Sequence, residues 1–418
     1  MGMEREILRV RSESIKLGVS ASEISSVRTK AVDEIAVRVY SDGLAGVASA
    51  VGAVDIDHLT DKAKACLRFE IPYPVEPSGP RTLDVAHTGP TRSVDDLVAF
   101  TQAVLSGLTA EYPQFVFSHA STQSSEHWHI ENDRGLDLRY SRTSIGIGLV
   151  GKEKGTGNIF DTFVAAENLD LDPAALLSRF KAHFAAFTTP LGPPPSGRQR
   201  VVFAGPNGPG GAGIFQLLHS DLVARIYAGG SSVFNGKVGS GERIFSSELN
   251  IVDTRDATRL QVRPFDMEGV VRDIPDLPLV KAGAVENIVA SKRDAIRYGF
   301  TPTGSGLGGL PQLPNSGVGR LDVLPTVPSL IELLDGKPAV LVWFVAGGDC
   351  TRTGDLAMPA AVLLRMESDG TVSGRYTGAT LQGNLYQVLG DDFIGVSEER
   401  VDEDAEEGWM MTHMVMGA

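Results

Sequence analysis

Residues 34–49 read EIAVRVYSDGLAGVAS, and this run decides the fold class. From Glu34 to Tyr40 the side chains alternate roughly in steps of two, the mark of a strand with one buried face. Ser41-Asp42-Gly43 supplies turn residues, and Leu44 to Ser49 reads as the returning strand of an antiparallel hairpin.

Working outward, Glu6 to Arg11 repeats the alternation, and further strands are expected at Gln114–Ser118, His127–Asn132, Leu136–Ser141 and Ser144–Val150. Two helices interrupt them. Ser93 stands as a cap before Val94, Leu97, Val98, Phe100, Val104 and Leu105, which share one helical face. Asp172 and Pro173 open a second helix that runs to Phe187. These elements predict an α+β domain over residues 1–187, with helices against a mixed or antiparallel sheet.

Thr188 to Arg200, TTPLGPPPSGRQR, sustains neither a helix nor an interior strand and reads as a linker. Residues 201–418 then form a strand-rich C-terminal domain. It opens with a strand at Arg200–Ala204, a glycine-rich loop at Gly205–Gly213 and a helix from Ile214 to about Ala228. Strands are expected at Ile251–Val252, Leu260–Val262, Ala339–Phe344, Ala361–Met366, Thr371–Tyr376 and Trp409–Val415. A further helix is expected at Ala284–Tyr298, and Thr301–Asp322 reads as a long surface loop.

Composition narrows the function classes. A chain of 418 residues exceeds one compact core. Its 42% apolar and 22% charged residues are those of an ordinary globular protein. No apolar run reaches the roughly 18 residues of a membrane span, and Met1 to Lys16 has no apolar signal core. With only Cys66 and Cys350, a disulfide framework is not expected and a cytoplasmic location is. The formal charge of −14, without a dense Lys/Arg stripe, argues against nucleic-acid binding. The acidic cluster from Glu398 through Glu403 and Asp404 to Glu407 lacks calcium-loop spacing and reads as a solvated turn.

Three features carry potential chemistry. Gly208–Gly213 and Gly304–Gly309 both fit G-x-G-x-x-G. No acidic-ended strand follows the first and no strong strand precedes the second, so both read as connecting loops. In Glu126-His127-Trp128-His129-Ile130-Glu131, a strand would place His127 and His129 on one face. Two imidazoles can hold zinc if a third ligand and an open position exist; nothing nearby supplies the third, and a solvated strand face is the simpler reading. His219 sits on the helix after the glycine loop, whose stripe of Phe215, Leu218, Leu222 and Ile226 marks a packing element.

Short motifs also follow one another in a telling order. Ala36–Ser49 contains an R-V-aromatic-x-D-G hairpin, and Asn132-Asp133-Arg134-Gly135 is similar to an N-S-x-G turn. Ile251-Val252-Asp253 ends an I-x-D segment, Asp266-Met267-Glu268-Gly269 is a D-x-E-G turn, and Thr303-Gly304 is a T-G element. In this order the chain resembles the TldD/PmbA family. In the family's catalytic members a helix carries H-E-x-x-x-H, its histidines binding zinc and its glutamate deprotonating the metal-bound water. A cysteine ligand comes from a C-terminal G-x-C-G-K-x-G-Q run.

Here the first histidine matches His219, the glutamate position holds Ser220 and the second histidine position holds Ala224. The cysteine run does not occur, and Cys350 does not match it. The resemblance therefore implies the TldE/PmbA-like, non-catalytic subunit of a heterodimeric zinc metallopeptidase. Such a subunit completes the substrate groove for peptide hydrolysis, carries no metal and no catalysis of its own, and leaves zinc to a TldD-like partner. Three other readings stand beside it: a heterodimer that hydrolyses an amide-linked small molecule, a stand-alone homodimeric binding protein, and a self-sufficient metalloenzyme using His127, His129 and His219. The methionine-rich tail, Met410, Met411, Met414 and Met416, is a candidate for part of the partner interface, with core packing as its rival.

Overall fold

The computed structural model describes residues 2–205, 208, 211–402 and 406–417, Ala212 by its backbone alone. The N-terminal sheet is built from two long hairpins. β1 (Glu4–Ser20) pairs antiparallel with β2 (Glu23–Ser41), which turns at Asp42 and Gly43, both at positive φ, into β3 (Leu44–Val51). β4 (Arg81–His87) lies at the far side, while β5 (Phe115–Asn132) and β6 (Leu136–Glu153) form the second hairpin and β7 (Thr162–Asn168) pairs with β6. The sheet order is β3-β2-β1-β5-β6-β4.

The expected short strands at 114–118 and 127–132 are one element, as are those at 136–141 and 144–150. The polar residues between them, such as Ser121 and Gln123, keep their ladder partners Ile147 and Ile145. Polarity broke the apolar pattern there without breaking the strand.

These strands are long enough to change their buried face along their length. At one end the even-numbered Leu8 and Val10 join Ile130 and Leu138 in a core closed by Phe265, Met267 and Leu310 from the C-terminal half. On the opposite face at that end, Ile7 and Val37 pack beneath α1 (Ile56–Cys66). Toward the other end, the odd-numbered Leu17 and Val19 are buried beneath α2 (Val94–Glu111) and α3 (Pro173–Phe187). Ser93 caps α2 through a reciprocal bond pair with Asp96, a device worth about 1 kcal/mol. Asp172 caps α3 as expected. Between α1 and α2/α3 the helix-bearing face lies open.

The C-terminal half continues with β8 (Pro190–Gly192), β9 (Gly197–Phe203), β10 (Ile251–Asp253), β11 (Leu277–Lys281), β12 (Ala284–Val285), β13 (Gly306–Leu307), β14 (Asn315–Ser316) and β15 (Leu321–Val323). It closes with β16 (Ala339–Val345), β17 (Asp349–Cys350), β18 (Asp355–Met366), β19 (Val372–Tyr376), β20 (Ala379–Asn384), β21 (Phe393–Arg400) and β22 (Gly408–Gly417). The pairing β16-β9-β22-β20-β18 returns to β16, so these strands form a barrel-like ring. The chain is thus α+β, with a strand-rich second half.

Several expectations are corrected here. The stretch 188–200 is tied at both ends into the C-terminal sheet, through β8 against β19 and β9 against β16 and β22. Ala284–Tyr298 is helical only over Lys292–Tyr298, because Ala284 and Val285 pair with β11. Leu260–Val262 lies in a turn. Thr301–Asp322 is only partly a surface loop: it contains β13, β14 and the start of β15, and Ser305 and Leu310 are buried. Met410, Met411, Met414 and Met416 are all core residues, which removes them from the interface candidates.

Candidate functional site

The segment after the glycine-rich loop was expected to form one helix, and it does not. A single 3-10 turn over Ala212–Phe215 leads into α4 (Gln216–Asp221); Val223 is extended, and α5 (Ala224–Ala228) follows. The break has a clear partner. The Ala224 N–H donates to the Val289 carbonyl at 3.0 Å, and the Val289 N–H donates to that of Leu222 at 2.7 Å. Phe215, Leu218 and Leu222 are buried as the stripe predicts, while Ile226 is only half-buried, and His219 and Ala224 sit on separate helices.

The chemistry at this position follows from those placements. His219 reaches the surface, yet the surrounding chain desolvates it enough to lower its pKa, with Asp253 opposing. The Ser220 hydroxyl donates to Asp221 at 2.8 Å. Asp221 is itself buried and also accepts from the Val233 N–H at 2.8 Å and from Arg352 at 2.9 Å. Ala224 is fully buried beside Ile288, Ala290 and Ala295. Burial and nearby carboxylates push the Cys350 thiol up to about 11, so it stays protonated near neutral pH. One imidazole, a hydroxyl bound to Asp221 and a buried methyl group do not make the donor set of a zinc site.

His127 and His129 do share a face, as the alternation predicts. They line a cleft of about 670 Å³ in the gap between α1 and α2, bounded by Arg9, Arg11, Asp33 and Arg139. His127 Nδ1 lies 2.9 Å from Ser141 Oγ, and His129 Nε2 lies 2.9 Å from Asp137 Oδ1. Arg139 is the chief cause that holds the Asp137 carboxyl below its usual range. Both rings are therefore bound into the strand face, and among the described residues no cluster of three or more ligating side chains could hold a metal. His219 is on another part of the fold and is not brought to this pair.

A third place went unread in the sequence: the buried polar junction between the two halves. Glu6 and Arg38 face each other across β1 and β2, both almost fully buried, at 3.1 Å. Arg38 also donates to the Met267 and Gln312 carbonyls, gripping the D-x-E-G turn. Within that turn Asp266 accepts from the N–H groups of Glu268, Val270 and Gly306 at 2.8–2.9 Å. Glu268 accepts from the Tyr73 hydroxyl and the Lys292 N–H, each at 2.6 Å. Burial, with Asp266 adding to it, pushes the Glu268 carboxyl up to about 7. Gly269 is at φ +67°, where a larger residue would be strained, and a Cβ there would stand 2.5 Å from the Leu136 side chain.

Nearby, Asp253 of the I-x-D segment pairs with Arg272 at 2.5 Å and accepts from the Gly319 and Arg320 N–H groups. Arg272 in turn donates to the carbonyl of Thr303, in the T-G element. A signal for this junction was present in the alternation: Glu6 falls on the same strand face as the buried Leu8 and Val10, and Arg38 on that of the buried Ala36. Because Gly306 N–H is taken by Asp266, the second glycine-rich loop is a structural turn. In the first such loop, Pro206, Asn207, Pro209 and Gly210 lie outside the described residues, as do Glu403 and Asp404 of the acidic cluster.

Residues 197–416 match the family model of the PmbA/TldA metallopeptidase C-terminal domain. The chain belongs to the TldD/PmbA family. The fold agrees over nearly the whole length. TldE from Thermococcus kodakarensis superposes with a TM-score of 0.81 at 21% identity, covering 99% of this chain and 96% of that one. A protein described as a modulator of DNA gyrase from Thermotoga maritima gives 0.79 at 17% identity, covering 100% and 96%. One from Bacteroides thetaiotaomicron gives 0.75 at 15%, covering 99% and 94%. At such identities the likeness speaks for the fold alone. No curated protein matches by sequence. The TldD/PmbA motifs read from the sequence, I-x-D, D-x-E-G and T-G, lie in one buried network, in which the D-x-E-G turn bonds to Arg38 and Tyr73 of the first half. No helix among the described residues is long and apolar enough to cross a membrane.

Proposed function

We propose that this TldD/PmbA member is the non-catalytic, TldE-like subunit of a heterodimeric zinc metallopeptidase, with zinc carried by an H-E-x-x-x-H partner. The observation that carries the reading is the pair Ser220 and Ala224 where catalytic relatives have a general base and a ligand. Ala224 belongs to a packed apolar cluster and follows a break in the helix, so the segment is built for packing. Further support comes from the likeness in fold to a TldE over almost the full chain. In this role the chain walls off the partner's active site and completes the groove that holds an extended peptide.

Co-expression with a TldD-like chain from the same genome tests the proposal. The expected outcome is a 1:1 complex on size exclusion that hydrolyses amide bonds only when both chains are present. A TldD-like chain that is fully active as a homodimer and never co-elutes with this one would refute it. Turnover on unfolded peptides against small amide substrates separates peptide hydrolysis from small-molecule processing.

A further inference from the structure

β2 is 19 residues long, but its outer neighbour β3 pairs only with residues 34–41. Along Glu23–Asp33 the outer edge of β2 therefore has no strand beside it among the described residues. The last rung of the outer ladder is the Gly52 N–H donating to the Asp33 carbonyl at 2.8 Å. By the two-residue period of a strand, Ala31, Thr29 and Val27 also aim their N–H and C=O groups outward. All three are exposed. An unpaired edge of this length is a template for another extended chain.

The charge beside that edge is unlike the rest of the molecule. Arg28 and Lys30 alternate on one face of β2, and Lys16 lies directly across from Arg28 on β1. All three are exposed, and among the described residues none makes an ion pair. Their near neighbours on that face are the neutral Ser14, Thr122 and Ser124. Asp402 and Glu167, which border the cleft lined by Lys16, are bound to Arg179 at 3.2 Å and to Arg142 at 3.1 Å. Three unneutralised cations on one face stand out in a chain with a formal charge of −14.

We infer that the free edge of β2 docks an extended acidic peptide segment by strand addition. Main-chain bonds to Val27, Thr29 and Ala31 would supply affinity, and carboxylates at alternate positions of the segment would face Arg28 and Lys30. Edge cations also discourage pairing between copies of this chain; the charges that repel a second copy admit an acidic strand. The inference does not depend on the accessory-subunit reading, since it concerns this chain alone.

The test is fluorescence anisotropy at low salt with the full chain and a labelled nine-residue peptide alternating glutamate with threonine or valine. Saturable binding is expected. It should weaken at least tenfold when lysine replaces glutamate, and equally when alternate peptide nitrogens are methylated to remove edge bonds while keeping charge. The chain variant Arg28→Glu/Lys30→Glu should lose at least tenfold in affinity with an unchanged thermal transition. Equal binding of the methylated peptide would reduce the contact to simple charge attraction and overturn strand addition. Unchanged affinity in the double variant, or a wild-type dimer that this variant dissociates, would also overturn the proposal, the latter in favour of a second copy at this edge.

Discussion

The Glu6–Arg38 pair shows how one residue can hold two halves of a chain together. Arg38 neutralises Glu6 and donates to two carbonyls of the other half. Removing one partner of a buried pair leaves an uncompensated charge, which costs about 3–5 kcal/mol. Arg38→Met should therefore lower the denaturation midpoint by a corresponding amount, and Glu6→Met in the same chain should restore much of it. Glu268 makes a pH-dependent contribution. Its folded pKa of about 7 exceeds the roughly 4.3 of an unfolded glutamate, so the folded state binds an extra proton between those values. This contribution is fully present below the window and is lost as pH rises through it. Glu268→Gln removes the dependence. Its stability relative to the wild type should rise by on the order of 3 kcal/mol between pH 4.5 and 8, read from urea midpoints across that range.

At the scale of elements, the break at Val223 decides what the degenerate motif can be turned back into. Ser220→Glu with Ala224→His restores the letters of the catalytic pattern but not one helix. The new imidazole would have to fit the cluster of Ile288, Ala290 and Ala295, and overpacking of that kind costs typically 1–3 kcal/mol. The double variant should bind no stoichiometric zinc by metal analysis and should unfold at a lower temperature than the wild type. The same segment shows what sequence reading reaches. Its apolar stripe gave Phe215, Leu218 and Leu222 as buried, because periodicity reports burial. It missed the break, because Val223 is extended by a pairing with Val289, 66 positions away in sequence, and no local propensity encodes that. The caps at Ser93 and Asp172 were legible for the opposite reason: both ends of each interaction lie within three residues. Glu6 with Arg38 falls between these cases, with each charge visible in its strand and the partnership visible only once β1 and β2 are in register.

For the whole molecule, the two proposed domains share more than a hinge. Leu17, Leu105 and Phe117 belong to the same apolar core as Val202, Leu341 and Met411. A protease that nicks the surface-lying stretch 188–200 should therefore leave two fragments of similar size that still co-elute on size exclusion and separate only in denaturant. Fragments that part under native conditions would show the shared core to be too weak to hold them. That core also sets a timetable for synthesis. Leu17 leaves the ribosome well before Leu341 and Met411, so the part of the apolar surface on α2, α3 and their sheet that the barrel strands cover must wait until those strands have emerged. Folding that depends on such distant partners is slow, and the waiting surface is the kind that chaperones hold and that aggregates claim. The nascent first half should be most dependent on chaperones during translation of the barrel strands.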